Sequence, residues 1–427
     1  MNMILLIVRR SLKQHFLSTC VTSVAVGLAC GLLMAVFTIQ TQTREAMMAR
    51  STRFDAVLGA RGSQVQLVLN AIFHLDVSPG NIPWELYTIM KNNSNVAHAI
   101  PYAVGDNYKG YRMVATTQDF FLFDGPKKSL KLEEGGRLFS YSRKEAVLGS
   151  FVAEKTGLKV GAKFNAYHGT VFADNMKHPG AIKVVGILQP TNTPVDKAIW
   201  ISLEDFYRTP GHALHKKIKD YRVPLFVQNK QYIAKEGQTI PDDYKEVSGV
   251  FIKFKSPQIG MLYDYLINRQ GKVATLAWPI DKIMVDFFNK ISWFHTILTI
   301  FAYAIALLAA GAILAGIYNS INDRRREFAI LRALGAHRLN IFAVIVLEAS
   351  MIAVNGVVLG FIIYTVVLSM AAAIIRSGTG VVIEVFHFHP VFIFAPIGII
   401  LLGSLAGIIP AMKAYQSPVA ENLVPQS

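Results

Sequence analysis

The sequence predicts a membrane protein, with four transmembrane α-helices and one large extracytoplasmic α+β domain inserted between the first and second of them. Two observations predict this class. Hydrophobic residues make up 52% of the 427 residues and charged residues only 17%, a composition between that of a soluble domain and that of a buried helical bundle. In addition, the long apolar stretches lie near the two ends of the chain, on either side of a more polar segment, residues 40–290.

Four segments have the roughly 20 apolar residues that a helix needs to cross a bilayer. They are residues 16–39, 294–318, 341–375 and 390–412. The third is longer than required, so we expect it to tilt or to extend beyond the membrane. Because lipid offers no hydrogen-bond partners to free backbone groups, all four segments are predicted to be helical.

Loop charges predict the orientation of these spans. The short segments on one side carry nine Lys and Arg residues, whereas the opposite loop, residues 376–389, carries Arg376 alone. The nine are Arg9, Arg10, Lys13, Arg324, Arg325, Arg326, Arg332, Arg338 and Lys413. The positive-inside rule then puts both termini in the cytoplasm and residues 40–290 in the periplasm or outside the cell, in a multi-pass protein of the inner (plasma) membrane. Residues 1–15 are predicted to form a helix on the cytoplasmic face, and residues 413–427 a cytoplasmic tail.

Residues 40–290 have the pattern of a mixed α and β domain. Residues 257–267 are predicted as a helix between two strands, which is a βαβ unit, and residues 84–104 as a helix followed by a strand. The predicted strands are residues 182–188, 198–202, 250–254 and 273–278. Residues 41–53 and 281–292 are expected to extend the adjoining spans as stalk helices. Residues 208–245, with several Pro, Gly and Lys, are predicted to be an insertion or a long loop.

A short amphipathic helix is predicted within the cytoplasmic loop, residues 319–340. Asn322 or Asp323 is expected to cap its N-terminus, and Gly335 to end it. Its apolar face comprises Phe328, Leu331 and Leu334. By periodicity alone, a loop that only satisfies the positive-inside rule is an equal alternative.

This loop resembles the signature of the FtsX/MacB family of ABC transporter permeases, with a LolC/LolE-like topology and no fused ATPase. The family pattern R-x-R-E-x-(A/G)-I-x-(R/K)-A-L-G-A, followed by a span that begins with Glu, is matched by Arg324, Arg326, Glu327, Ile330, Arg332, Ala333, Leu334, Gly335, Ala336 and Glu348. Residues 407–411 and 417–421 also agree with the family. More loosely, residues 132–139 look like a strand, residues 147–156 like a helix and residues 184–188 like a strand of the MacB-like periplasmic core. Residues 56–83 have no counterpart in the pattern.

The resemblance implies a dimer of permeases, homo- or heteromeric, bound to two cytoplasmic ABC ATPase subunits. ATP-driven motion would pass to the extracytoplasmic domain, which is mechanotransmission. The residues implied in ATPase coupling are Arg324, Arg325, Arg326, Glu327, Ile330, Leu331, Arg332, Leu334, Gly335 and Ala336. The sequence has no G-x-x-x-x-G-K-(S/T) loop, so ATP and Mg²⁺ are expected on a separate ATPase chain. This chain is accordingly expected to be non-catalytic, without a cofactor or metal of its own.

Two functions follow from the resemblance, and a third is independent of it. The first is a transporter subunit that exports or extracts a lipid, lipoprotein, peptide or drug, and the second is an FtsX-like regulator that activates a cell-envelope hydrolase or a signalling partner. The third is a membrane-anchored receptor without an ATPase. Exposed apolar surface at residues 71–73 and 120–123 would favour a lipidic cargo, although such segments more often belong to a core. The net charge of +15 is not clustered as nucleic-acid binding requires.

A few polar residues near the spans have weaker predictions. Glu348, as an intramembrane carboxylate, is either functional or held by a partner. Asn355 and Tyr364 are expected to join helices. The pairs His387 with His389 and His212 with His215 are disfavoured as metal sites, because neither has a nearby set of further ligands.

Overall fold

The computed structural model describes residues 2–49, 53–123, 130–169, 177–209, 214–215, 231–232, 240–379 and 382–416. The chain forms two compact units. The helical unit comprises Met1–Thr43, Ile291–Ile374 and Ile383–Ser427, and the sheet unit comprises Arg44–Lys290 and Ile375–Val382.

The four longest elements are helices. The α-helices are α1 (Asn2–Gln14), α2 (Phe16–Ala49), α3 (Gln64–Ala71), α4 (Trp84–Lys91), α5 (Asp119–Leu122), α6 (Ser150–Thr156), α7 (Leu203–Tyr207), α8 (Pro257–Asp264), α9 (Ile280–Asp323), α10 (Arg325–Ala333), α11 (Arg338–Thr379) and α12 (Val391–Gln416).

The strands all lie in the sheet unit. They are β1 (Ala56–Ala60), β2 (Ile82–Pro83), β3 (Val96–Tyr108), β4 (Tyr111–Thr116), β5 (Glu145–Leu148), β6 (Lys163–Phe164), β7 (Tyr167–His168), β8 (Ile182–Ile187), β9 (Ile199–Ser202), β10 (Leu214–His215), β11 (Gln231–Tyr232), β12 (Glu246–Val247), β13 (Gly249–Phe254) and β14 (Ala274–Ala277).

Among the described residues, four helices are long and apolar enough to cross a membrane, namely α2, α9, α11 and α12. Helices α2, α9 and α11 each contain a predicted span and continue beyond it at one or both ends, and α12 covers the fourth span from its second residue onward. Helix α2 runs without interruption to Ala49, and α9 begins at Ile280 in the sheet unit and ends at Asp323 in the helical unit. Helix α9 covers the predicted extension of the second span, residues 281–292, and α2 covers residues 41–49 of the predicted extension 41–53 of the first.

Glycines allow α2 and α11 to approach closely. Gly27 and Gly31 on α2 are four residues apart, as are Gly356 and Gly360 on α11. A Cβ added to Gly31 would lie 2.8 Å from the carbonyl oxygen of Gly360, and one added to Gly27 would lie 3.0 Å from that of Gly356. Two facing small-x-x-x-small motifs of this kind bring helix backbones together where no hydrophobic effect drives association.

Helices α11 and α12 meet through a similar pair of motifs. A Cβ added to Gly403 would lie 2.8 Å from the Cβ of Ala353, and one added to Gly407 would lie 2.5 Å from the Cβ of Ala349. Since both contacts of α11 use small residues, this helix is the centre of the packing among α2, α11 and α12.

The glycine contacts predict an effect of overpacking. We expect Gly31→Val to lower the stability of the helical unit by about 1–3 kcal/mol, because its side chain would meet backbone atoms of α11. The matched control is Gly398→Val on α12, where an added Cβ meets nothing within 4 Å. Thermal unfolding of the full-length protein in detergent measures the difference, and equal melting temperatures for the two variants would contradict the close approach of α2 and α11.

The sheet unit is built on a ten-stranded mixed sheet of order β14-β1-β13-β3-β4-β9-β5-β8-β6, with β7 paired to β3. Strand β1 lies between β13 and β14 and is antiparallel to both. The predicted βαβ unit of β13, α8 and β14 is therefore present in split form, with β1 between its parallel strands. Residues 56–83, which matched no family pattern, form β1 at the centre of this split unit, followed by α3 and β2.

Two expectations taken from the family pattern are corrected. Residues 132–139 do not form a strand, since Leu132 makes one isolated bridge to Leu188. The segment 147–156 is not helical throughout, because β5 continues to Leu148 and α6 starts at Ser150. Of residues 208–245, most lie outside the described part of the chain; the described portions include the β10–β11 pair.

Apolar side chains pack on both faces of the sheet. Phe73, Phe120, Phe121 and Phe123 are all less than 9% exposed and belong to one of the two core clusters, around Trp200. The segments 71–73 and 120–123 are thus mainly core, and Leu122, which is 66% exposed, is the exception. The argument for a lipidic cargo that rested on these segments is removed.

Candidate functional site

A buried polar cluster joins three helices of the helical unit. Its members are Arg324 at the start of α10, Glu348 on α11 and Ser11 on α1, which are 6%, 5% and 1% exposed. Ser11 Oγ donates a hydrogen bond to Glu348 Oε1 at 2.6 Å. Arg324 Nη1 lies 2.5 Å from Ser11 Oγ and 3.4 Å from Glu348 Oε2. The positive and negative groups therefore compensate each other in a place that water does not reach.

Glu348 lies well inside α11. It is ten residues from the start of the helix at Arg338, which corresponds to about 15 Å along the axis. The carboxylate has partners in the structure, because Arg324 and Ser11 both bind it.

The Arg324 side chain has further contacts with α10 itself. Its Nε donates to Glu327 Oε2 at 3.1 Å, and its guanidinium carbon lies 5.0 Å from the centre of the Phe328 ring. The helix is thereby held from its first turn against the buried cluster. Arg324 is also its N-cap, without a side-chain capping bond, so the expectation that Asn322 or Asp323 caps it is wrong.

The opposite side of α10 is exposed. Leu334 is 80% exposed, Ile330 44% and the Glu327 side chain 53%, while Phe328 and Ala329 are buried. The predicted apolar face is thus divided, with Phe328 inside, Leu331 half-buried and Leu334 in solvent. Gly335 follows with φ of 99°, a left-handed conformation that favours glycine and ends the helix as predicted.

The residues that were assigned to ATPase coupling differ in their exposure. Arg324 is buried, Leu331, Arg332 and Ala336 are half-buried, and Glu327, Ile330, Leu334 and Gly335 are exposed. The backbones of Arg325 and Arg326 lie in α10, and their side chains are outside the described part. An exposed face for a partner consequently comprises fewer residues than the sequence pattern suggested.

The remaining polar predictions have local partners. Tyr364 is buried and donates to the carbonyl oxygen of Val385 at 2.8 Å, whereas Asn355 is exposed. His387 approaches Glu384 at 3.7 Å, and His389 Nε2 lies 3.3 Å from Thr41 Oγ1. The two rings thus contact different partners.

Two further predictions have no structural outcome, those for the histidine pair at positions 212 and 215 and for the terminal residues 417–421. His212 and residues 417–421 lie outside the described residues, as does the side chain of His215.

Ser11 is the member of the cluster that sequence reasoning missed. It lies in a basic segment next to Arg10 and Lys13, and a serine there has no distinguishing pattern. Arg324 was found by the motif, but its burial was not, because several adjacent arginines are equivalent in sequence. The sequence did contain one signal for the burial of Arg324: an intramembrane Glu needs a cationic partner, and the nearby arginines were the candidates.

Comparison with known proteins gives one family match. Residues 299–419, which include the second part of α9 and all of α10, α11 and α12, match the model of the FtsX-like permease C-terminal domain. None of the curated proteins matches the sequence.

Two solved structures are similar to part of the chain. The extracellular domain of the noncanonic ABC-type transporter YknZ from Gram-positive bacteria is 13% identical, with a TM-score of 0.28, over 52% of this chain and 97% of that one. The periplasmic region of MacB from Actinobacillus actinomycetemcomitans is 10% identical, with a TM-score of 0.32, over 56% and 95%.

The motif from Arg324 to Ala336, the apolar helices around it and the match over residues 299–419 lead to one conclusion. The chain has helices typical of a membrane protein, and its residues 299–419 are similar to the FtsX-like permease C-terminal domain.

Proposed function

We propose that this chain is the permease subunit of an ABC transporter complex, and that a separate cytoplasmic ATPase drives it. The ATPase binds ATP and Mg²⁺, and this chain is non-catalytic. It spans the inner membrane four times as part of a dimer, with both termini in the cytoplasm and the sheet unit outside. Motion passes to the sheet unit, and the complex exports or extracts its cargo without a channel through the bilayer.

The buried cluster of Arg324, Glu348 and Ser11 carries this proposal. An ion pair this deeply buried holds its partners in one geometry, because separating them would leave a charge without compensation. Any displacement of α10 is therefore carried to α11 and α1 together. A helix that couples an ATPase to the membrane needs such a connection, because its displacement must move the transmembrane helices instead of bending the helix itself.

The exposed face of α10 supplies the surface for the ATPase. Ile330 and Leu334 present apolar side chains beside the carboxylate of Glu327. An apolar centre with a charged rim is typical of transient protein interfaces. By the positive-inside rule, this face is in the cytoplasm, where an ATPase would be.

Helix α9 offers the path toward the sheet unit. Its first turns belong to the sheet unit, where Ile280, Ile283 and Met284 are buried in the core, and the same helix continues to Asp323, next to Arg324. A continuous helix with one end anchored in a core transmits displacement better than a flexible linker does.

The test is co-purification of the full-length chain from its native membranes. We expect an ATPase with a Walker A sequence and vanadate-sensitive ATP hydrolysis to elute with the wild-type chain. Both are expected to decrease at least about tenfold in Leu334→Glu, because loss of a central interface anchor weakens binding by about 2 kcal/mol or more and about 1.4 kcal/mol already corresponds to tenfold. If the wild-type chain elutes without any ATPase, the transporter proposal fails.

The matched control is Leu122→Glu, another exposed leucine, at 66% exposure, in the sheet unit. It introduces the same charge on the proposed outer side and is expected to leave ATPase binding unchanged. An equal loss in both variants would mean that the effect is not specific to α10.

A further inference from the structure

Two imidazoles and a carboxylate converge in the sheet unit, remote in sequence from the permease motif. They are Asp106 on β3, His168 on β7 and His178 before β8. Their ligand atoms all lie within 4.8 Å of one another. His178 Nε2 is 3.1 Å and His168 Nδ1 is 3.5 Å from the same oxygen, Asp106 Oδ1, and the two rings are perpendicular with centres 5.3 Å apart.

The backbone holds these three side chains in place. Asp106 and His168 are direct cross-strand partners, and the register of β3 against β4 shifts between Val104 and Asp106. Such a bulge re-aims the side chain that follows it and recurs beside functional sites. Gly105 accepts a hydrogen bond at 2.7 Å from the backbone N–H of Gly169, which fixes the residue after His168 to the bulge.

Neighbouring polar groups support the two histidines. Asn107 is fully buried, and its Nδ2 donates to the carbonyl oxygen of Gly169 at 2.9 Å. The backbone N–H of His178 donates to the carbonyl oxygen of Ala166 at 2.8 Å. The ligand-bearing backbone is thus tied at both histidines, as preorganised metal sites require.

The separations suit a small divalent cation. Ligands at 2.0–2.1 Å from a tetrahedral Zn²⁺ lie about 3.3 Å from each other, and the two measured nitrogen–oxygen distances, 3.1 and 3.5 Å, lie on either side of this value. Asp106 is 0% exposed and the side chain of His178 is 8% exposed, whereas that of His168 is 50% exposed. The cluster is therefore buried on one side and open on the other.

We propose that Asp106, His168 and His178 bind one Zn²⁺ ion, with water in the fourth position. Two imidazoles and one carboxylate form a ligand set that zinc accepts, and three protein ligands with one open position are typical of exchangeable or catalytic zinc sites. The bound ion ties β7 and the segment around His178 to β3.

The experiment uses the full-length chain in detergent, purified with a peptide tag that contains no histidine and stripped with a chelator. Titration with Zn²⁺ against a chromophoric competitor is expected to give one ion per chain. Replacing a ligand in His178→Gln or His168→Gln is expected to weaken binding at least about 100-fold, and Asn107→Ala about 10–100-fold. Co²⁺ in the same site is expected to show the intense visible bands of four-coordination, lost in both histidine variants.

The control is the double variant His387→Gln/His389→Gln, which removes two histidines in the helical unit and is expected to bind Zn²⁺ as tightly as the wild type. His168→Gln keeps the test decisive if His178→Gln does not fold, because its side chain is half exposed. The proposal is overturned if the wild type binds no zinc, or if His168→Gln retains the wild-type affinity and cobalt spectrum.

Discussion

Replacing Arg324 with methionine is expected to destabilise the helical unit by about 3–5 kcal/mol, because the variant leaves the Glu348 carboxylate buried without its cation. Glu348 is 5% exposed, so water cannot take the place of the guanidinium. The measurement is thermal unfolding of the full-length protein in detergent, together with the yield of monodisperse protein. Glu348→Met should have a comparable effect, since it leaves the guanidinium in the same position.

The double variant Arg324→Met/Glu348→Met shows how much stability the ion pair contributes, as distinct from the cost of leaving one buried charge without its partner. A buried pair replaced by apolar side chains of similar size is often close to neutral, so the double variant should be more stable than either single one. Glu327→Gln is the control, because the Glu327 side chain is 53% exposed and exposed pairs contribute about 1 kcal/mol or less. Additive losses in the double variant would contradict a coupled pair.

The double variant also bears on the proposed mechanism. If the cluster transmits motion from α10, the protein should fold and bind its ATPase, yet ATP hydrolysis should no longer respond to the permease. A double variant that couples normally would show that packing alone is sufficient for transmission.

Stability of the sheet unit is expected to decrease in acid through His74. Both ring nitrogens of His74 are buried, without a hydrogen-bond partner among the described residues, and the ring stands perpendicular to that of Trp200 at 5.6 Å. Burial, with smaller contributions from Arg112 and Lys197, lowers the pKa of His74 from 6.5 to about 3. The folded protein therefore holds this imidazole neutral where the unfolded chain would bind a proton.

The direction of the pH effect follows from that difference. The unfolded state binds more protons between pH 6.5 and about 3, so stability present above pH 6.5 is lost as the pH falls through this window. At about 1.4 kcal/mol per pKa unit, the loss reaches about 3 kcal/mol at pH 4. Tryptophan fluorescence during thermal unfolding at pH 4 to 8 measures it.

His74→Phe should remove most of this dependence, because phenylalanine retains the ring contact with Trp200 but does not titrate. His74 has φ of 54°, a left-handed conformation that histidine adopts more readily than bulky side chains do, so the variants are compared by the change of stability with pH and not by absolute stability. His98→Phe, at an exposed position of the same unit, is the control and should unfold with the wild-type pH profile. Identical profiles for His74→Phe and the wild type would exclude His74 as the source.

Local patterns in the sequence predicted the candidate spans, the short helix between them and the resemblance to the FtsX-like permease C-terminal domain. Spans are recognisable because each is one continuous apolar run, and a helix needs no distant partner for its backbone hydrogen bonds. The end of α10 at Gly335 is likewise a local property of one residue. The strands at 182–187, 199–202 and 249–254 were found by their own alternation or apolar runs.

Pairing between distant residues was decided only by the tertiary structure. Strand β1 takes its place between β13 and β14 through hydrogen bonds to residues about 200 positions away, which no local pattern contains. The burial of Arg324 likewise depends on Ser11 and Glu348, which are far from it in sequence and bind its side chain. Asp106, His168 and His178 become a cluster only when β3 and β7 pair, and so the sequence, in which they are far apart, predicted no metal site there.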